Sequence, residues 1–481
     1  MKKVLVRICS LALAFLMVLA VVACNSNEQT DEVNSDEVNT LDSDSSDTEI
    51  KPNFSGVKYG YRDFYVLTRL NGSPYEMAIE QLGTTSSILE RAIYSRNKRV
   101  EEDFEIKLVY LTGKTEGDIH YAVSANSLAD ADEYDLVASH GIKLFNGALS
   151  GYYLDWKTLP TINLDAPWWN QSAKTEFATP GGKLFVMNGS ISHNSIGGAG
   201  AMYFNKTILE EAHITSPYTY YEQNNWTFET FFKTVRDAAE SMSGDGTTGY
   251  MSQTYRGMSG AYGATGHRTL ERGNDGKFYI GIENERSYTA QGVFTDFCFE
   301  SGVVIVEPSL SACRTAFKNG TTAFFDDNLF TAPEFKGVNF GIVPFPKYDA
   351  QVESYMAYIG SGVNSFAVVS NTSDENRKCI GDIVEALAYY GHKEIIPTYF
   401  ETVLSYQAMK DEHSLAVLQH IAADIKVDIG SYLNPGQIGL IGSLMQSDPK
   451  TYSSLAVAIE KLSGNGQIEA ELQLWYALDE Q

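Results

Sequence analysis

From residue 61 onward, apolar positions fall into alternating blocks, short runs with strand character and longer stretches with a helical period. Asp63–Thr68 reads as a strand. Thr84–Phe104 predicts a helix with Ile88, Leu89, Ala92, Ile93 and Val100 on its apolar face, and Ile106–Leu111 returns to strand character, which makes a β-α-β unit. Thr115–Ala129 predicts a second helix leading to the run Tyr134–Ala138, which stops abruptly at Ser139-His140-Gly141. Loops at such strand ends are where open α/β sheets bind ligands. The alternation recurs with strands at Ala201–Phe204, Phe278–Ile280, Phe340–Val343 and Ser365–Val369. Helices are predicted at Phe228–Ser241, Ser287–Ser301, Asn376–Tyr390, Pro397–Lys410, Glu412–Ile425 and Lys450–Ser463. The expectation is an α/β architecture with mostly parallel sheets flanked by helices, and the several crossings fit two lobes better than one sheet.

The first residues follow a different pattern. Lys2, Lys3 and Arg7 precede an apolar run from Leu11 to Val22, too short to span about 30 Å of hydrocarbon, and the run ends in Val21-Val22-Ala23-Cys24. This is an export signal, and its end resembles the bacterial lipobox, in which the Cys becomes the lipidated first residue of the mature chain. Asn25–Ile50 then carries nine acids and no Lys or Arg, with the pentad Asp31-Glu32-Val33-Asn34-Ser35 repeated as Asp36-Glu37-Val38-Asn39-Thr40. Such a segment buries too little to fold and reads as a solvated tether. Asp42-Ser43-Asp44-Ser45-Ser46-Asp47 lacks the Gly and distal Glu of a calcium loop.

Charge narrows the partners. With 36 Lys and Arg against 61 Asp and Glu, a net of −25, the chain repels phosphate backbones, so nucleic acid is not an expected partner. Five Cys in 481 residues make no disulfide framework and none sits at metal-ligand spacing, so no metal and no cofactor are expected. Gly244-Asp245-Gly246-Thr247-Thr248-Gly249 follows a helix and precedes a strand, the reverse of a nucleotide-binding context.

Six short segments in order carry a resemblance. They are Asp135–Gly141 running on to Leu149–Trp156, Gly182-Lys183-Leu184-Phe185-Val186, Ala201–Lys206, Trp226-Thr227-Phe228-Glu229, Gly320–Phe325 and Phe340–Pro346. From about Tyr59 the chain resembles the extracellular solute-binding proteins of ABC importers, specifically the carbohydrate-binding family that includes maltose-binding protein. The resemblance implies a two-lobed periplasmic-binding-protein-like fold of type II, with hinge crossings between lobes and the solute held between them. It places residues 1–23 as the lipoprotein signal, 24–58 as the tether, 59–190 and 345–393 as lobe 1, and 191–344 and 394–481 as lobe 2. It implies a monomeric binding protein that performs no chemical step, anchored outside the cytoplasm through Cys24 and delivering a carbohydrate or other small solute to ABC permease subunits. One departure stands out: where relatives stack a Trp on sugar, this chain has Asp326-Asp327-Asn328-Leu329.

A sugar offers hydroxyls at its edge and C–H groups on its faces, so its site needs carboxylates, amides and flat rings. Asp326 and Asp327 suit the edge and are expected on a loop facing the cleft, with Asn328 beside them. Adjacent Trp168 and Trp169 point to opposite sides of an extended segment, so one is a candidate platform. Tyr255 and Tyr262, in the Gly-rich segment Thr254–Gly266, are the other ring candidates, and Ser139, His140 and Lys143 follow the strand exit as donors. The rival readings are a surface glycoside-processing enzyme acting through Asp326 and Asp327, and a sensor or binder of peptides or other solutes on the same fold.

Overall fold

In a computed structural model, residues 50–480 are described apart from 70–76, 114, 243, 245, 254–255, 408–411, 434–452 and 465. The export signal, Cys24 and the tether up to Glu49 lie outside the described residues, as does Tyr255. The opening unit is β1 (Arg62–Arg69), α1 (Ile88–Phe104), β2 (Ile106–Gly113), α2 (Glu116–Leu128), β3 (Leu136–His140) and α3 (Gly141–Leu149). Helix α1 begins four residues later than the apolar pattern suggests because Ser87 caps it. The Ser87 side chain accepts from the Glu90 N–H, and Glu90 reaches back to the cap, which satisfies two otherwise orphaned donors. A left-handed Glu105 at φ 51° ends it.

The chain continues through α4 (Gln171–Glu176), β4 (Gly200–Asn205), α5 (Phe228–Ser241), β5 (Thr248–Gln253), α6 (Arg256–Gly263), β6 (Leu270–Arg272) and β7 (Phe278–Ile280). Then come α7 (Glu285–Glu300), β8 (Val304–Glu307), α8 (Leu310–Lys318), β9 (Thr322–Asn328), β10 (Phe340–Val343), β11 (Ala357–Ile359) and β12 (Asn364–Ala367). The last part is α9 (Asp374–Tyr390), a π turn at Gly391–Ile395, α10 (Ile396–Gln407), α11 (Glu412–Ala423), β13 (Ile425–Val427), α12 (Leu455–Gly464) and α13 (Gln467–Ala477). The Gly-rich segment carries helix α6. Phe278–Ile280 pairs antiparallel with β6 in a separate hairpin and joins neither main sheet.

Two sheets carry the architecture. The first has the order β12-β3-β1-β2, with β1 parallel to both β2 and β3 and only β12 antiparallel. The second has the order β10-β4-β9-β5-β8, in which β4 runs antiparallel to both its neighbours while β9, β5 and β8 are parallel. Each sheet has its own core. Phe64, Val66, Leu136 and Val137 of the first pack against Val100 and Phe104 of α1 and Ile380, Ile383 and Leu387 of α9. Met202, Tyr203, Phe204, Phe324 and Phe325 of the second pack against Phe228, Phe231 and Val235 of α5 and Phe294 and Phe297 of α7. The rings of Phe232 and Phe297 stack at 3.9 Å. Burying each such ring stabilises by about 1.5–3 kcal/mol relative to leaving it in water.

The C-terminal part, 394–481, expected in the second lobe, sends side chains into both cores. Leu472, Trp475 and Leu478 are buried in the first core, where Trp475 stacks on Phe145 at 5.0 Å, and Val427 and Tyr432 join them. The β6–β7 hairpin is also in that core through Leu270 and Phe278. Its root is fixed by Asp428, which accepts from the Thr269 N–H at 2.8 Å and the Thr269 hydroxyl at 2.6 Å. Periodicity places an apolar face on a helix and says nothing about which of two cores receives it.

The start of the described chain is strapped to the first core. Asp382 on α9, wholly buried, accepts from the Ser55 N–H at 3.0 Å, the Tyr59 hydroxyl at 2.6 Å and the Ser55 hydroxyl. Phe54 packs edge-on against Phe104 at 5.2 Å.

Candidate functional site

At the end of the first sheet the carboxyl ends of β1 and β3 meet the start of β12. Asn364 stands opposite His140 and Ser365 opposite Ser139, and Arg69 at the tip of β1 donates to the Asn364 amide oxygen at 3.0 Å. Thr68, Ser139 and Ser365 are all wholly buried, and their hydroxyl oxygens have no hydrogen-bond partner among the described residues. Beside them runs the passage from the first core to the second. There the buried Asn188 amide, His193 Nδ1 and the Asn194 amide oxygen have no partner either, nor does the hydroxyl of Tyr399 on α10, whose ring lies 5.1 Å from His193. Burial pushes the His193 imidazole down to about 4, so it is a neutral donor and acceptor at physiological pH. Gly141 lets the Tyr432 ring close over the start of α3, and Tyr432 donates to the Gly360 carbonyl at 3.3 Å.

An unsatisfied buried polar group costs about 1–3 kcal/mol, and native structures tolerate few of them. Seven residues of this kind lie along one sheet end and one passage, and their unsatisfied donors and acceptors make this the candidate site for a ligand that brings its own hydroxyls. Neutral hydroxyls and amides of this type accept and donate without imposing charge, which suits an uncharged polyol edge.

In the second sheet, Asn328 stands at the end of β9, directly opposite Gly200 of β4, and Gln253 at the end of β5. Asp326 and Asp327 are not on a loop. They occupy adjacent positions of β9 and so point to opposite faces. Asp326 accepts from the buried Tyr250 hydroxyl at 2.7 Å. Asp327 accepts from Arg314 Nε at 2.7 Å and from the Asn328 N–H at 2.7 Å. Both carboxylates are buried and engaged within the second core.

The aromatic candidates also move. Trp168 and Trp169 are both wholly buried in the first core; Trp169 donates to Glu385 at 3.0 Å and Trp168 meets Tyr389 edge-on at 5.2 Å, so neither ring presents a face to a ligand. Tyr262 lies on α6, and its side chain is outside the described residues. Lys143 is exposed in the first turn of α3. Of the expected residues, Ser139 and His140 come together at the first sheet end and Asn328 sits at the second. Arg69, Asn188, His193, Asn364, Ser365 and Tyr399 carry no sequence signal that separates them from ordinary turn and core residues, and only the register assembles them. No cluster of metal-ligating side chains occurs, and no helix is long and apolar enough to cross a membrane, among the described residues.

No protein-family model matches the sequence, and no curated protein is similar to it. Solved structures are. The GacH receptor of Streptomyces glaucescens, described unliganded and with acarbose, superposes with a TM-score of 0.56 at 12% identity, over 84% of this chain and 98% of that one. The ABC substrate-binding protein Lmo0181 from Listeria monocytogenes, in complex with cycloalternan, gives 0.53 at 12% identity over 87% and 98%. UgpB from Mycobacterium tuberculosis, in complex with glycerophosphocholine, gives 0.56 at 12% identity over 86% and 100%. At such identities the likeness is one of fold, and it spans nearly all of each relative: the chain has the two-lobed fold of the ABC substrate-binding proteins.

Proposed function

We propose that this chain is a lipid-anchored binding protein outside the cytoplasm, which takes a carbohydrate between its two lobes and delivers it to an ABC permease. The observation that carries the reading is the set of buried, unsatisfied neutral hydroxyls at the end of the first sheet, Thr68, Ser139 and Ser365, with the Asn188 amide in the passage beside it, in a fold whose solved relatives hold acarbose and cycloalternan. A glycoside-processing role needs two free carboxylates flanking a bond. The two adjacent acids that would serve are tied to Tyr250 and Arg314, which supports binding without chemistry. Export and anchoring rest on the signal and the Cys24 lipobox.

The test is a thermal-shift series with acarbose, maltotetraose, cycloalternan and glycerophosphocholine. A ligand at 100 times its Kd stabilises by about 2.7 kcal/mol, and the shift should be lost in Asn188→Ala. A shift with glycerophosphocholine alone, or with a sugar but undiminished in Asn188→Ala, overturns the reading of solute or of site respectively.

A further inference from the structure

On the second core, between α6 and the chain that enters β11, lies a groove lined by Gly260, Gly263, Phe345, Pro346, Met356 and Tyr358, with Ser354 exposed at its mouth. Its cavity measures about 20 Å³, more than the roughly 10–15 Å³ that one water needs. Two glycines one turn apart on α6 make the room. A methyl group at Gly260 would stand 2.7 Å from the Phe345 ring, and one at Gly263 would stand 2.5 Å from the Tyr358 ring. Glycine weakens a helix relative to alanine, so α6 gives up stability where the rings and the groove need space. The Tyr358 ring is fixed at its far end, where the hydroxyl donates to the His267 carbonyl at 3.0 Å. Lys347 also borders the groove, but its ammonium turns to the Asn224 amide oxygen at 2.7 Å and lies over the Tyr355 ring at 4.8 Å, so it presents no charge there.

Strand β11 joins this groove to the candidate site. Tyr358 lines the groove, the next residue Ile359 bridges to Ala199 at the end of the passage between the cores, and the Gly360 carbonyl receives the Tyr432 hydroxyl at the first sheet end. Trp168 and Trp169 are buried elsewhere, so the groove is the apolar surface that the fold sets beside the orphaned hydroxyls. We propose that the solute is a carbohydrate bearing a small alkyl group, the methyl of a 6-deoxy sugar or an alkyl aglycone. The alkyl group seats in the groove while the sugar hydroxyls meet the polar site. This rests on the carbohydrate reading above. A hydroxymethyl group among Phe345, Pro346 and Met356 would leave its hydroxyl without a partner, which costs affinity, whereas an alkyl group leaves water with no hydrogen bond to lose.

The experiment uses the full chain with Cys24 changed to Ser. Xenon NMR titration probes the groove without any sugar, since xenon enters apolar cavities. Calorimetry then compares L-rhamnose with L-mannose, the arm for a deoxy sugar, and ethyl α-D-glucoside with D-glucose, the arm for an alkyl aglycone. In one pair the alkylated member binds about fourfold more tightly or better, the scale of one carbon buried. Gly260→Ala abolishes the xenon response and that preference, and leaves the plain sugar at its wild-type affinity. Should Gly260→Ala not fold, Ser354→Trp at the exposed mouth fills the groove to the same effect. Sugar binding without a xenon response, without preference for the alkylated member, or with a preference that survives both variants overturns the groove. Xenon binding with no sugar of either pair bound overturns the carbohydrate reading, and the alkyl solute with it.

Discussion

Replacing Glu385 with Gln should make the protein gain stability relative to wild type as the pH rises from 5 to 8. Glu385 is wholly buried on α9 beneath the two tryptophans and receives the Trp169 N–H at 3.0 Å and the Asn163 N–H at 3.3 Å. Burial, opposed by those hydrogen bonds, pushes its carboxyl from 4.5 up to about 7. Below pH 4.5 the group is protonated in both folded and unfolded chains, and its contribution is complete. Between pH 4.5 and 7 the unfolded chain ionises while the folded one keeps its proton, so stability falls as pH rises, and above 7 the loss is constant. At 1.36 kcal/mol per unit the loss is on the order of 3 kcal/mol. A Gln has no proton to lose, and its NH2 must face one of the two N–H donors, which lowers stability by an amount that does not depend on pH. Urea melts followed by tryptophan emission, at pH 5 and pH 8, should therefore show the gap between variant and wild type opening by that order as pH rises. A gap of the same size at both pH values would show that Glu385 is ionised or solvated at rest, and would refute the reasoning.

Trp168→Ala and Trp169→Ala should each cost about 3–5 kcal/mol of folding stability, measured by denaturant melts, while any sugar affinity that survives at low temperature stays at wild type; a selective loss of affinity would return the rings to the site. Asp327→Ala should destabilise by about 2–3 kcal/mol, since it breaks a buried charge-assisted bond but leaves Arg314 with Glu334 at 3.4 Å, and a melt unchanged from wild type would contradict that role. Cys24→Ser should move the protein from the membrane fraction to the soluble one, as an immunoblot of the two fractions will show.

Strand and helix boundaries were legible wherever a local device wrote them. Phe228–Ser241, Phe278–Ile280 and Phe340–Val343 come out as the apolar pattern places them. The site was less so. Ser139 and His140 are candidates because a strand stops there, but Ser365 joins the candidate site only through an antiparallel register that sets it opposite Ser139, and register between segments more than 200 residues apart leaves no mark in either. Asp326 and Asp327 were expected on a loop for a related reason: two adjacent acids look like solvated loop residues, and only the tertiary partners Tyr250 and Arg314 make them affordable in a strand. The burial of the paired tryptophans was not legible because an aromatic suits a core and a sugar face equally well.

The strap at the start of the described chain ties that end of the chain to one of the two cores. Ser55 and Tyr59 are bound to Asp382, and Phe54 to Phe104, all within the first core. If the proposed lipid anchor holds the protein through the residues before Ile50, a pull along them reaches the first core and α9 before it reaches the second core.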